Sequence, residues 1–262
     1  MGKSILKSCF FVFFLSVLSA SATAQTLSPY QSAFRPLGLP VIGKTFLAGS
    51  DAASQSFESS KQKFLNTITS KLPESVAFTG VNLNQLDPQK LFFQFAYAPR
   101  VYYIYEGACY TNALGLTIAS VSTPTSQPVS GTNYTVFPMV HSSIAPVCAS
   151  GSGARSASEP LLAGDFVQLP TIAAGQQLAF FIMSNLNGNG TPSDVFFNGS
   201  SQNSDGFQHL IAFFPDNSQY IIIGFEDLWG GGDKDCNDLL FVVDVGPNNA
   251  AVWRNPANTL PK

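Results

Sequence analysis

The chain has 262 residues, of which 45% are apolar, 13% aromatic and only 11% charged, with a formal net charge of −3. That length allows one large domain or two small ones, and either can bury a core. So few charges exclude a disordered polyelectrolyte, and 13 Lys and Arg against 16 Asp and Glu leave no electrostatic footprint for nucleic acid.

Residues 1–24 have the pattern of a secretory signal. Lys3 and Lys7 precede the apolar run CFFVFFLSVL, and Ala22-Thr23-Ala24 supplies a cleavage site before Gln25. The run is shorter than the roughly 20 residues a membrane span needs. Cys9 opens it rather than closing it, which argues against lipid attachment there. Cleavage removes two lysines and leaves 11 basic against 16 acidic groups. The expectation is an exported protein with no membrane span after cleavage. Its destination is the cell surface or extracellular space, or the periplasm, since a signal carries a chain across the first membrane only.

Three cysteines follow the signal: Cys109, Cys148 and Cys236. In an oxidising compartment these predict one disulfide and one odd thiol, with three pairings open. Cys109–Cys148 is favoured because both flank the same Ser/Pro-rich excursion. No Cys/His spacing suggests zinc.

Residues 25–50 are irregular and rich in Pro and Gly. Residues 51–72 predict one amphipathic helix, with Phe57, Phe64, Leu65, Ile68 and Leu72 on one face and Pro73 as its stop. From about Val76 the period changes to two, with aromatic and β-branched enrichment. Strands are predicted over 91–97, 101–106, 114–120, 134–138, 166–169, 178–183, 209–214, 219–224 and 239–245. The turn 215–218 joins two of them in a hairpin. Segments 121–131 and 149–158 read as polar loops. Many short strands without βα alternation, punctuated by the chain's 17 Pro and 21 Gly, predict an all-β fold: an antiparallel β-sandwich or jelly roll with one N-terminal helix. The organisation is a signal (1–24), an N-terminal extension (25–90), a β-sandwich domain (91–246) and a C-terminal tail (247–262).

The acids are unevenly spread. Glu226, Asp227, Asp233, Asp235, Asp238 and Asp244 put six of the 16 acidic residues into 19 positions, with only Lys234 to balance them. The strands YIIIGF and LLFVVDV flank this segment. So many carboxylates on one loop repel unless a cation neutralises them, and calcium takes six to eight oxygen ligands in a flexible geometry. Gly230, Gly231 and Gly232 allow a tight backbone. Asp233, Asp235 and Asn237 imitate the first half of an EF-hand, but Asp238 stands where that turn needs Gly and a strand follows. The reading is therefore a Ca²⁺ loop between two strands.

The stretch 223–245, IGFEDLWGGGDKDCNDLLFVVDV, resembles the signature of a bacterial secreted family described as domain of unknown function 4114. Tyr105-Glu106-Gly107-Ala108 with Asn112, Leu114 and Gly115 resembles the start of the family pattern. Residues 162–165, the strand 178–182, and Asp205-Gly206 with His209 fall in the expected order. The resemblance spans about 95–246. It implies a calcium-binding β-sandwich module of exported and cell-surface proteins, adhesins included, with no established enzymatic activity. Cys236 departs from the pattern, which has an aromatic there; a small buried thiol is a workable substitute, and a disulfide at this position would staple the loop.

Asp233, Asp235 and Asp238 are the first candidate metal ligands, with Asn237 as an amide ligand. Glu226 and Asp227 follow as ligands or supports. Asp205 is either a further ligand or a plain turn residue. Glu106 is a candidate buried carboxylate in the same layer, and Asp244 reads as a sheet-face residue. Only His141 and His209 are available as neutral-pH bases, and no G-x-S-x-G elbow accompanies them. Glu226 and Asp227 are adjacent carboxylates, but neighbours in a strand point to opposite faces, which makes a glycosidase the least favoured reading.

The expected function is therefore a non-catalytic, Ca²⁺-dependent module that binds a surface glycan or matrix component in adhesion. Among the aromatics near the loops (Trp229, Trp253, Tyr102, Tyr103 and Tyr110), Trp229 is the leading contact residue and the strand tyrosines read as packing. The alternative is a subunit of a bacterial extracellular matrix or filament, self-associating through strand edges with residues 25–50 as an added strand.

Overall fold

Strand β4 (Arg100–Glu106) reads RVYYIYE, and its consecutive side chains are buried on opposite sides of one sheet. Val101 and Tyr103 join an inner core, whereas Tyr102 and Ile104 join a second cluster beneath a helix. Strand β12 (Leu239–Asp244) does the same, with Leu239, Phe241 and Val243 inward and Leu240 and Val242 outward. A strand covered on both faces loses clean alternation and becomes an apolar run. The computed structural model behind these assignments describes residues 26–30, 32–80, 83–141 and 154–255. The predicted signal and Cys148 lie outside the described residues.

Two antiparallel sheets face each other. The larger has seven strands in the order β1 (Thr45–Phe46), β7 (Phe166–Gln168), β4, β12, β11 (Tyr220–Phe225), β10 (Leu210–Phe214) and β2 (Asn84–Leu86). The smaller has five: β3 (Leu91–Phe93), β8 (Gln176–Ser184), β5 (Asn112–Ser120) and β6 (Thr132–Val140) in order, with β9 (Asp194–Phe197) also paired to β8. Leu114, Leu116, Phe137, Phe180 and Ile182 from the smaller sheet meet Tyr103, Phe225 and Phe241 from the larger in one apolar layer.

The helix α1 (Ala52–Lys71) begins with a reciprocal cap: Ser54 N–H donates to Asp51 Oδ1 at 2.8 Å and Asp51 N–H donates to Ser54 Oγ at 2.9 Å. Arg100 donates two bonds to the same Asp51 carboxylate, at 2.8 and 2.7 Å, tying the cap to β4. Phe57, Phe64 and Ile68 are buried on the outer face of the larger sheet, with the Phe57 ring stacked on Tyr102.

Several expectations are corrected. The first predicted strand ends at Phe93 rather than 97, because the amides of Gln94 and Phe95 are taken by Asn249 Oδ1 at 3.1 and 3.0 Å. Residues 247–262 are not simply a tail: α2 (Pro247–Trp253) buries Ala250 and Trp253 in the inner core, and Trp253 Nε1 donates to Phe92 O. Trp253 is thus no surface aromatic, while Tyr102 and Tyr103 are buried as the packing residues they read as. Residues 25–90 supply α1 and both edge strands of the larger sheet, β1 and β2. Within 25–50, Phe46 pairs with Phe166 and with Leu27, and Val41 bridges Thr135, so this segment is bonded to its own sandwich. Strands β1, β2 and β9 escape the sequence reading because they are short and follow no period.

Candidate metal centre

Strands β11 and β12 pair from Tyr220↔Asp244 to Phe225↔Leu239, so residues 226–238 form the connection at one end of the larger sheet. Such a connection between two buried strands has to satisfy its own backbone, and here acids do much of that work. Glu226 N–H donates to His209 O, and Glu226 Oε1 accepts from Cys236 N–H at 2.7 Å. Asp235 Oδ1 accepts from Asn237 N–H at 3.0 Å. Positive φ at Lys234 and Cys236, 65° and 58°, lets the chain alternate so that Asp235 and Asn237 both turn inward.

The loop is also held from outside. Lys234 O accepts from Phe78 N–H and Asp238 O from Gly107 N–H. Gly107 permits this approach because a Cβ there would fall 2.3 Å from Asn237 Oδ1. Asp235 Oδ2 accepts from Ser75 N–H at 2.8 Å, and Asn237 Nδ2 donates to Leu72 O at 3.3 Å. Both partners belong to the segment that leaves α1.

The carboxylates fall into two groups. In the first, one oxygen each from Glu74, Asp233 and Asp235 lies within 4.8 Å of the others, with Asp235 buried and the other two exposed. Glu226, fully buried, adjoins this group, and a Cβ on Gly232 would lie 3.2 Å from its Oε2. That Oε2 has no hydrogen-bond partner. In the second group Asp227 N–H donates to Asp238 Oδ2 at 2.8 Å. Asp227 also accepts from Asn112 Nδ2 at 2.9 Å, and its carbonyl accepts from Ser184 Oγ at 2.6 Å, both from the smaller sheet.

Proton affinities record the crowding. Burial, followed by the charges of Asp235, Asp233 and Asp227, outweighs the Cys236 N–H bond and pushes Glu226 up to about 7. Burial and then the Asp227 charge push Asp238 up to about 9. Asp235 and Glu74 are also raised, first by burial and then partly by neighbouring acids. A site that pulls protons onto its carboxyls lacks positive charge. The donors are all oxygen, which matches a hard divalent cation.

Asp205 stands apart from the first group. Its Oδ1 accepts from Phe207 N–H at 3.0 Å, and its Oδ2 accepts from Gly230 N–H at 2.7 Å and faces His209 Nε2 at 2.8 Å. Asp205 thus fastens the turn that carries Trp229, which is 59% exposed. His209 is buried with its ring stacked on Phe196, and its Nδ1 faces Glu226 O at 3.0 Å. Glu106, also buried, pairs with His141 Nδ1 at 3.1 Å. Asp244 is buried and accepts from Tyr97, Gln219 and Gly246. Cys109 is disulfide-bonded and Cys236 is a free, buried thiol. A disulfide at Cys236 is thereby excluded; Cys148, the partner expected for Cys109, lies outside the described residues.

Glu74 had no signal in the sequence, because it lies in the extension with no motif around it. Asn112 was visible only as part of the resemblance, with no ligand-supporting role attached. Residues 172–246 match the family model described as "Domain of unknown function (DUF4114)". The interval covers β8 to β12 with the acidic connection, and residues 95–171 of the resemblance fall outside it. No curated protein and no solved structure matches the chain.

Proposed function

Residues 172–246 match the model of this family of unknown function, and from that premise we propose that the protein is an exported, non-catalytic Ca²⁺-binding β-sandwich module. It acts at the cell surface or outside the cell in adhesion, through a glycan or matrix ligand. The observation that carries the metal reading is the unpartnered, fully buried Glu226 Oε2, which lies 3.2 Å from where a Cβ on Gly232, the residue before Asp233, would stand. A buried carboxylate oxygen without a donor costs on the order of 1–3 kcal/mol, which a cation offsets.

In this reading Glu226, Asp233 and Asp235 hold the ion. Asn237 shapes the turn, and the Asp227–Asp238 pair anchors the base of the loop to the smaller sheet through Asn112. Bound calcium supplies positive charge where the loop has only Lys234, whose Nζ lies over the Phe207 ring. Trp229, with Leu228 exposed beside it, offers a flat apolar face for a sugar ring, and Asp205 holds that turn in place. Successive strands change sheet at β2–β3, β3–β4, β4–β5, β6–β7, β7–β8 and β9–β10, which favours the jelly-roll form of the sandwich. Among the described residues no helix is long and apolar enough to cross a membrane.

The test is calorimetric titration of EDTA-stripped protein with Ca²⁺, beside melting curves. Saturable binding is expected, with a gain of about 2.7 kcal/mol at a hundredfold excess over Kd, or roughly 5–10 °C in Tm. Asp233→Ala and Asp235→Ala remove the gain. A melting curve indifferent to EDTA overturns the metal reading. If binding holds, a glycan array run with and without calcium, on wild type and Trp229→Ala, tests the ligand class.

A further inference from the structure

The acidic connection lies inside the family match, but one member of its first carboxylate group does not. Glu74 follows immediately on α1, whose last turn ends at Leu72 before Pro73. Three bonds already lay this segment along the loop: Asn237 Nδ2 to Leu72 O at 3.3 Å, Ser75 N–H to Asp235 Oδ2 at 2.8 Å, and Phe78 N–H to Lys234 O at 2.6 Å. They bring a Glu74 oxygen within 4.8 Å of oxygens of both Asp233 and Asp235. Three carboxylates meeting this closely repel one another, and nothing in the loop but Lys234 carries positive charge. Lys234 turns away, with its Nζ over the Phe207 ring at 5.5 Å. The independent sign of a ligand is again Glu226: fully buried, with Oε2 unpartnered and facing the Gly232–Asp233 turn.

We infer that Glu74 completes the cation site from outside the family domain, so that a divalent cation fastens α1 and residues 72–78 onto the sandwich. This rests on the metal reading above. The cation would join an element held mainly by apolar contacts of Phe57, Phe64 and Ile68 at one end of α1's path to a charged anchor at the other. Undocking of α1 would uncover the apolar face made by Tyr102, Ile104, Ile222 and Val242. Calcium concentration would then control whether that face is covered, a consequence for an exported chain that meets different cation levels on its route.

Glu74 is exposed and accepts substitution without a cavity. The experiment is Ca²⁺ titration of purified wild type and Glu74→Gln by calorimetry, followed by hydrogen exchange of both proteins with and without Ca²⁺. Glu74→Gln is expected to weaken binding about tenfold or more, the range of losing a charged ligand or its close support. In wild type, calcium slows exchange across residues 66–78, and in Glu74→Gln that slowing is lost at the same calcium concentration. Wild-type affinity in Glu74→Gln overturns this inference and leaves the metal reading standing. Weakened binding with unchanged protection of 66–78 makes Glu74 a ligand but overturns the fastening of α1. Absence of binding to wild type overturns the metal reading itself.

Discussion

Glu226 and Cys236, at opposite ends of the glycine-rich turn, are joined by a 2.7 Å bond from the Cys236 N–H to Glu226 Oε1. The bond closes the loop across its neck and leaves the second oxygen, Oε2, beside Gly232 with no donor. The same residue thus stabilises the loop with one oxygen and leaves a charge deficit with the other.

The first consequence is a pH dependence of the cation-free protein. A carboxyl whose pKa is higher folded than unfolded contributes stability at low pH, and that contribution fades as pH rises toward the folded value. For Glu226 the window runs from 4.5 to about 7, and for Asp238 from 3.8 to about 9. His141, raised by its bond to Glu106, acts in the same direction. Asp205 and Asp216 are lowered and act only below their ordinary value of 3.8. Urea unfolding in EDTA is therefore expected to give lower stability at pH 8 than at pH 5. Glu226→Gln should shrink that drop by roughly 3 kcal/mol. A stability that climbs between pH 5 and pH 8 would contradict the crowding of carboxyls described here. If the cation binds as proposed, calcium should remove the share of the drop that Glu226 carries, because the cation takes the place of its proton and affinity rises with pH, while the shares of Asp238 and His141 remain.

Asp51 serves two elements, capping α1 and receiving both Arg100 bonds. Asp51→Ala should cost about 3–5 kcal/mol in urea unfolding, since it strips a helix cap and leaves a largely buried guanidinium without its carboxylate. Asp51→Ser should recover about 1 kcal/mol of that by restoring the cap alone. Equal losses in the two variants would assign the whole effect to Arg100.

Cys236 is 3% exposed, and burial first, then the charges of Glu226 and Asp235, push its thiol well above the usual cysteine range. The native protein should react with a water-soluble disulfide reagent at pH 8 only as fast as it unfolds, and promptly in urea. Rapid labelling of the native protein would mean that the loop opens on its own.

Composition, turn chemistry and periodicity in the sequence were enough to read two sheets of antiparallel strands, the helix with its Asp51 start and Pro73 stop, and the acidic connection between two apolar strands. These features are local: a cap, a period or a charge run is written in neighbouring residues. What the sequence left open was which carboxylates meet. Asp205 reads either as a ligand or as a plain turn residue, and its oxygens are taken by Phe207, Gly230 and His209. Glu74 reads as nothing in particular, yet the docking of α1 brings it beside Asp233 and Asp235. Trp253 reads as a tail aromatic, yet Pro247 starts a short helix that inserts it into the core. Chemistry alone restricts residue types, so the sequence determined that carboxylates crowd one loop. Which oxygens come within a few ångströms depends on how α1 and the two sheets pack, and only the tertiary structure decides that.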